Sequence, residues 1–238
     1  MAESTYRCEY PQYAIFNSHE LRDYVLNKGY SFEKVFCFEP VLNSSLKKRV
    51  KNLDKTLFKR KQILVYGRPS VDRNAFGLLV ESLKRWVKIQ ENVDSWTILS
   101  AGEQHAPVSL GEGIYLESVG KLSIDEYAKV LEESYAGISL MVSPHPSYPP
   151  LEMAVFDVKV ITNNYSNKNI SAFSKNITSV DNVSPVFIAQ TLKEICSNYH
   201  TVVPHQTVNY EYVNSEEPFG FIKELKLEIE QILNKVNE

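Results

Sequence analysis

The sequence predicts an α/β fold: a doubly wound parallel sheet preceded by a partial βαβ unit. Three observations carry that expectation. Short apolar runs alternate with amphipathic helical stretches along most of the 238 residues. The run at 138–142 is short and apolar, as suits a strand buried at the centre of a parallel sheet. Polar or glycine-bearing segments then follow the strands of the larger unit: Gly67-Arg68, Ala101-Gly102, Gly120-Lys121, 143–150 and Asn163-Asn164. In parallel strands such loops gather on one edge of the sheet, where these folds bind ligands.

Taken in order, Tyr13-Ala14-Ile15-Phe16 reads as a strand stopped by Asn17-Ser18. Ser18 opens a helix with Leu21, Tyr24 and Val25 on its apolar face, and Gly29 ends it. Val35-Phe36-Cys37-Phe38 is the second strand, stopped by Pro40. One such unit cannot enclose a core alone. Next, Lys47, Lys48, Arg49, Lys51, Lys55, Lys59, Arg60 and Lys61 face one acid, Asp54. A nucleic-acid patch and a solvated, partly helical linker both fit this run. The linker is favoured, because no aromatic platform accompanies the charge. The expected division is 1–58, a partial N-terminal unit with its linker, and 59–238, the main lobe.

In that lobe a strand at 62–66 leads into a helix at 74–90, with Leu78, Leu79, Leu83, Trp86 and Val87 as its buried stripe. Strands follow at 96–99 and 114–116. Ser123 and Glu126 form a capping box for a helix that turns Tyr127, Val130, Leu131 and Tyr135 inward. After the 138–142 strand come a proline-rich turn at 143–150, a helix at 151–156 and a strand at 158–162. Pro185 starts a helix running to 199. Residues 200–217 read as irregular, and 219–236 as a strong final helix.

Composition narrows the function. Lys plus Arg is 26 and Asp plus Glu 29, a net charge of −3, which argues against a surface built for nucleic acid or anionic membrane. With 43% hydrophobic and 23% charged residues the chain is globular. No apolar run is long enough for a membrane span, and the first residues do not read as a signal peptide. Cys8, Cys37 and Cys196 lack ligand spacing and read as buried or incidental thiols. Asn-x-Ser/Thr triplets at Asn43, Asn164, Asn169, Asn176 and Asn182 read as composition rather than glycosylation sites.

Among the converging loops, Gly67 permits close backbone approach and Arg68 offers a planar donor fork to phosphate oxygens. Arg73 lies near a helix start, where free N–H groups also favour anions. An ordinary surface ion pair accounts for Arg68 equally well. Glu152, behind Pro149-Pro150, either complements a helix dipole or accepts hydrogen bonds from vicinal hydroxyls. His145 reads as a base, a sugar ligand or an ordered turn residue. His19, His105, His200 and His205 are too scattered to propose a metal set. No dinucleotide fingerprint, Walker motif, HExxH or serine elbow is present.

Four stretches, in order and spacing, resemble the C-terminal, donor-binding lobe of GT-B glycosyltransferases, the large retaining family that uses nucleotide sugars. Strand-Gly67-Arg68 with Arg73 resembles the G-R-x-x-x-x-K diphosphate loop, with arginine where lysine is usual. Residues 117–123 resemble the x-x-x-G-x-L-S segment beside the base. Residues 138–154 resemble the strand–loop–helix signature, and 159–162 the strand after it. The likeness covers roughly 61–199, a Rossmann-like lobe, and the final helix resembles the family's return helix.

More narrowly, Ser143-Pro144-His145-Pro146-Ser147-Tyr148-Pro149-Pro150-Leu151-Glu152 is similar to bacterial rhamnosyltransferases that extend surface rhamnans from dTDP-rhamnose. The resemblance implies that Gly67, Arg68, Arg73 and the helix start at Leu151 hold the diphosphate. It implies Gly120, Lys121, Leu122 and Glu152 at the base and ribose, and His145, Ser147, Tyr148 and Pro149 at the sugar, with no metal. Pro144 stands where the family carries the first of two glutamates, so the usual carboxylate contact to the sugar is absent. The implied partners are a nucleotide sugar and a glycan acceptor, the latter through a missing or separate N-terminal lobe. The implied location is the cytoplasm, at the inner face of the membrane. A non-catalytic nucleotide-binding or scaffolding module, and an unrelated α/β interaction protein, are the rival readings.

Overall fold

The computed structural model describes residues 7, 10–54, 56–205, 210–215 and 218–236. Its centre is a seven-stranded sheet. Strand β4 (Arg60–Gly67) lies in the middle, with β5 (Thr97–Gly102), β7 (Ile114–Gly120) and β6 (Val108–Gly111) to one side. On the other lie β8 (Ser134–Ile138), β9 (Lys159–Asn163) and β10 (Ile177–Val180). All pairs are parallel except β6–β7, a hairpin edge. The chain starts in β4, winds outward one way, then returns to β8 and winds the other way. The order therefore reverses between β4 and β8, the switch point at which open α/β sheets leave a crevice for ligands.

Helices cover both faces. On one, α3 (Phe76–Ile89) and α6 (Pro185–Ser197) bury Leu79, Leu83, Trp86, Ile188 and Leu192 against Ile63, Val65 and Ile98. On the other, α4 (Ile124–Glu133) and α5 (Pro149–Val155) bury Ala128, Leu131, Leu151 and Val155 with Leu64 and Val160. The stripe expected for α3 is the observed one, with Leu78 half-buried. The capping box at Ser123 and Glu126 is present. Helix α4 stops at Glu133, so Tyr135 faces inward from β8, and the strand expected at 138–142 lies at Ser134–Ile138 instead.

Three further differences have local causes. Helix α5 begins at Pro149, not 151, because proline is tolerated at the first helical positions. The stretch expected to be irregular holds β11 (Val202–Pro204), antiparallel to β3 (Thr56–Phe58), and α7 (Tyr210–Asn214). Strands β6 (Val-Ser-Leu-Gly) and β10 (Ile-Thr-Ser-Val) carry polar residues within them and lack the apolar run that would mark a strand. Asn43, Asn169 and Asn182 each accept a hydrogen bond from the backbone N–H two residues on, which gives those triplets a turn-forming role.

The N-terminal unit is a separate two-stranded parallel sheet, β1 (Tyr13–Phe16) and β2 (Lys34–Cys37), joined by α1 (His19–Asn27) with Ser18 as its cap. It packs on the final helix, α8 (Ile222–Val236), which starts three residues later than expected. Phe36 stacks on Phe221, Phe38 meets Phe219 edge-on, and Lys34 pairs with Glu224 and Glu228. Part of the basic run is used within the fold, while Lys48 and Lys51 stay exposed. Helix α2 (Ser44–Lys51) buries Leu46, Arg49 pairs with Glu132, Arg60 pairs with Glu133, and Lys59 is buried. Cys196 is buried and Cys37 half-buried, both as free thiols, whereas Cys8 lies outside the described residues. No described helix is long and apolar enough to cross a membrane.

Candidate functional site

The carboxyl edge of the large sheet is a set of interlocked loops. Gly67 ends β4 at a place where a Cβ would lie 2.1 Å from Ser100 Oγ and 3.0 Å from Phe76. Only glycine fits, and the backbone is left open to close approach. Ser100 Oγ is also 2.9 Å from His105 Nε2. Nδ1 of that ring faces the Ala106 carbonyl at 2.7 Å, so a neutral ring carries its proton on Nδ1 and accepts from the serine at Nε2. His105, unassigned by the sequence, is thus part of the floor beneath the first loop. Its only signal was its place just after β5.

Arg68 follows, half-buried, and makes no direct ion pair with any described residue, although its charge reaches the Glu103 carboxylate. The loop that carries it is braced by Glu103, whose N–H donates to Gly67 O at 3.1 Å. Ser70 donates to the Glu103 carboxylate from N–H and Oγ. Those bonds, and then the Arg68 charge, hold Glu103 below the usual carboxylate range. Gly102, at φ +126°, lies where a Cβ would meet Gly67 O at 3.0 Å and Arg68 Cγ at 3.1 Å.

The switch point itself is stitched by main chain. Arg73 is exposed in a short 3₁₀ turn, Asp72–Asn74, whose Arg73 carbonyl accepts from Val142 N–H at 2.7 Å. Buried Asn74 donates to Leu140 O. On the β9 side, the Asn163 side chain grips both backbone groups of Met141, at 2.7 and 3.1 Å. Lys168, 1% exposed, donates to Met141 O at 2.8 Å, and burial pushes it down to about 8. Sequence reasoning missed Lys168 because nothing in its neighbourhood distinguishes a buried lysine from a surface one.

The 143–150 turn is built around His145. Its Nδ1 accepts from Ser147 N–H at 3.0 Å, so a neutral ring carries its proton on Nε2. That Nε2 is buried with no hydrogen-bond partner among the described residues. Burial holds the ring below its ordinary pKa, against the opposite pull of the Asn17 backbone and Glu20. Ser147 is buried at φ +71°, and Tyr148 lies beside His145, 36% exposed.

Helix α5 follows. Pro149 and Pro150 lack N–H groups, and the Glu152 N–H is spent on Tyr148 O, so Leu151 alone can offer an amide. The Leu151 side chain belongs to the core. Glu152 is largely desolvated, which raises its carboxyl to about 7, with the Tyr127 hydroxyl of α4 beside it.

At the end of β7, Gly120 sits at φ +65°, and a Cβ there would lie 2.5 Å from the Gln104 side chain. Lys121 is exposed and without an ion pair among the described residues, while Leu122 packs on the α4–α5 core. The expected site residues therefore all stand on this edge, Leu122 and Leu151 as packed side chains. For a metal, one described trio brings ligand atoms within 4.8 Å of one another: His19, Cys37 and Glu39 of the N-terminal unit. His19 Nδ1 already lies 2.7 Å from Glu39 there.

Residues 61–193 match the family described as "WsaF, C-terminal domain". A relative named O-antigen biosynthesis protein RfbC, from Myxococcus xanthus, is 28% identical over 207 residues, 83% of this chain and 15% of that protein. Among solved structures, a TarM mutant from S. aureus in complex with fondaparinux, α-GlcNAc-glycerol and UDP is similar at TM-score 0.60 and 17% identity. That likeness covers 77% of this chain and 36% of TarM. Sucrose-phosphate synthase from Thermosynechococcus elongatus is similar at TM-score 0.52 and 12% identity, over 94% of this chain and 58% of the synthase. At these identities the structural likenesses show a shared fold.

Proposed function

The chain belongs to the family of WsaF C-terminal domains, and from that premise we propose that it is the donor-binding lobe of a retaining, rhamnosyltransferase-type glycosyltransferase of surface-polysaccharide synthesis. One observation carries the reading. Arg68 and Arg73 stand at the β4–β8 switch point without an ion-pair partner among the described residues. A nucleoside diphosphate supplies the anion they lack.

In this reading Arg68 and Arg73, with the open backbone at Gly67, neutralise the charge that grows on the departing diphosphate. The two guanidiniums supply positive charge in the role a metal ion takes elsewhere, so no metal is required. Glu152, once ionised, accepts from the two ribose hydroxyls, and Gly120 and Lys121 border the base. His145, Ser147 and Tyr148 line the sugar side. There Pro144, replacing a carboxylate, suits the apolar methyl of a 6-deoxy sugar such as that of dTDP-rhamnose.

Residues 1–58 are read as the end of an acceptor-binding lobe, and the whole works in the cytoplasm at the membrane's inner face. Calorimetric titration with dTDP, UDP and dTDP-rhamnose is the test. Binding that is lost in Arg68→Ala and Glu152→Ala supports the reading, and no binding at millimolar ligand overturns it. A non-catalytic nucleotide-binding module is favoured instead by one feature, Pro144 in place of the sugar-contacting carboxylate. It predicts binding without transfer even when an acceptor lobe is supplied.

A further inference from the structure

The N-terminal unit gathers a set of side chains that the proposed donor site does not use. Strand β2 stays extended past its end, since Phe38 N–H donates to Phe16 O at 3.0 Å. Side chains along it therefore alternate between two faces. Phe36 and Phe38 turn one way, onto Phe219 and Phe221. Cys37 and Glu39 turn the other way, to the start of α1, where His19 is the first helical residue. One nitrogen of the His19 ring, Cys37 Sγ and one Glu39 oxygen all lie within 4.8 Å of one another. An imidazole, a thiolate and a carboxylate are the ligand types that zinc takes. No ligand spacing shows in the sequence because His19 and Glu39 stand 20 residues apart and meet only in the fold.

The surroundings favour a cation. Glu39 Oε1 takes the His19 backbone N–H at 2.8 Å and lies 2.7 Å from ring Nδ1, so the carboxylate is held in place. Cys37 is a free, half-buried thiol. Beside them Glu20 Oε2 is buried with no hydrogen-bond partner among the described residues, and its charge reaches both Cys37 and Glu39. The backbone that carries Glu20 is pinned, because Asn167 Nδ2 donates to Glu20 O at 2.8 Å. Arg22, whose charge is also felt at Cys37 and Glu39, is already paired with Asp23 at 2.7 Å. A divalent ion would satisfy the acidic groups that remain. The side chains of His19 and Glu39 are half exposed, which leaves the ion a way in. The unit also has reason to hold one. Its sheet has two strands, and Phe16 and Phe36 are the buried apolar residues of 13–37, a core of the size that a structural metal staples.

We propose that His19, Cys37 and Glu39 form a zinc site that clips the start of α1 to the end of β2, with Glu20 as the neighbouring charge and water in the fourth position. Binding displaces the proton of the Cys37 thiol to solvent. Zinc here takes no part in the proposed transfer, and its binding holds or fails independently of the donor-lobe reading.

The experiment takes the full 238-residue protein, stripped with a chelator and kept reduced, and titrates it with zinc and separately with cobalt. Calorimetry should give one zinc per chain, and cobalt should give a thiolate-to-metal charge-transfer band in the near ultraviolet. Cys37→Ser should abolish that band and weaken zinc about a hundredfold, and His19→Ala should weaken zinc about as much. Glu20→Gln should cost about threefold. Cys196→Ser, at a buried thiol of α6, should leave the band and the affinity unchanged. Zinc should also slow amide exchange at the start of α1 and the end of β2 in wild type and not in Cys37→Ser. Serine matches cysteine in shape, and an unchanged urea midpoint without zinc checks that the variant is folded. If that midpoint falls, His19→Ala, at a half-exposed side chain, carries the test. No zinc bound at about 100 µM overturns the site. So does a cobalt band that survives Cys37→Ser, which would mark an adventitious surface ion, and so does zinc binding that leaves amide exchange in the unit unchanged.

Discussion

The two ends of the large sheet each bury a lysine, and they treat it differently. At the amino edge Lys59, 1% exposed, donates to Leu131 O at 3.0 Å and Phe156 O at 2.6 Å, carbonyls at the ends of α4 and α5. Asp157 beside it pairs with His205, and Asn176 donates to both Ala154 O and Asp157. Helix ends leave carbonyls without partners, and this network closes them. At the carboxyl edge Lys168, equally buried, has one acceptor, Met141 O, among the described residues. Around that edge His145 Nε2 and the hydroxyls of Ser139 and Thr162 are buried without described partners. The amino edge closes its lysine with its own residues, although Trp86 Nε1 and Gln90 Oε1 at the end of α3 are also buried without described partners. The other keeps polar groups in reserve, which costs stability and is the arrangement expected where a ligand completes the set.

The contrast breaks first at Lys59. Lys59→Met keeps the stem but leaves two buried carbonyls unpaired, so unfolding free energy should fall by about 2–4 kcal/mol in urea titration. Affinity for dTDP in the folded fraction should not change. Burial has pushed Lys59 down to about 7, below its unfolded value, so the unfolded chain holds more protons above that pH. The lysine's contribution to stability therefore grows as pH rises above about 7, and the variant should lose that rise. A variant as stable as wild type would show that the amino edge is no more complete than the other.

Arg68→Ala tests the opposite edge. The side chain has no described ion pair to lose, so stability should stay within about 0.5 kcal/mol. Nucleotide affinity should drop roughly tenfold to hundredfold, the worth of a charge-assisted contact to phosphate. Calorimetry and a urea midpoint on one preparation give both numbers. Loss of stability with affinity intact would make Arg68 structural.

The fold was legible where period and punctuation agreed. Alternation placed β4, α3, β5, α4 and α6, whereas the strand expected at 138–142 is found four residues earlier, as β8; Ser123 with Glu126 marked a helix start that the structure caps as expected. The strands β6, β10 and β11 were not legible: β6 and β10 mix polar with apolar residues and β11 has three residues, so none shows the four-residue apolar run that marked β1 and β2. At the site, glycines and arginines after strands could be read because loop position in a parallel sheet is set by chain order. His105 and Lys168 could not. Their roles come from contacts to Ser100 and Met141 across the sheet, and a sequence does not display partners that distant.

Glu152 separates the edges by sign. Burial raises its carboxyl to about 7, so between the ordinary carboxylate range and that value the folded protein holds a proton the unfolded chain has released. Its contribution to stability is full at low pH and is lost as pH rises through about 7. Glu152→Gln cannot ionise, so above neutral pH it should be more stable than wild type by about 1–2 kcal/mol. It should bind dTDP about fivefold more weakly, since an amide accepts less well from ribose hydroxyls. Equal stability at pH 8 would mean that the carboxyl is better solvated than its burial implies.

The smallest effect, and the one that decides what kind of lysine Lys168 is, comes from Lys168→Met. If this lysine were a second Lys59, its removal would cost about as much stability. It has a single carbonyl to lose, Met141 O, and Asn163 Nδ2 also donates to that oxygen at 3.1 Å, so the acceptor does not go unpaired. Relief of a desolvated amine offsets the lost hydrogen bond, and stability should change by less than about 1 kcal/mol. The amine also lies near enough to His145 for its charge to lower that ring's pKa. Without it, the His145 titration followed by NMR should move up, and binding of inorganic diphosphate should weaken about threefold as a nearby positive charge is lost. A stability loss matching that of Lys59→Met, with diphosphate binding unchanged, would make the two ends of the sheet alike.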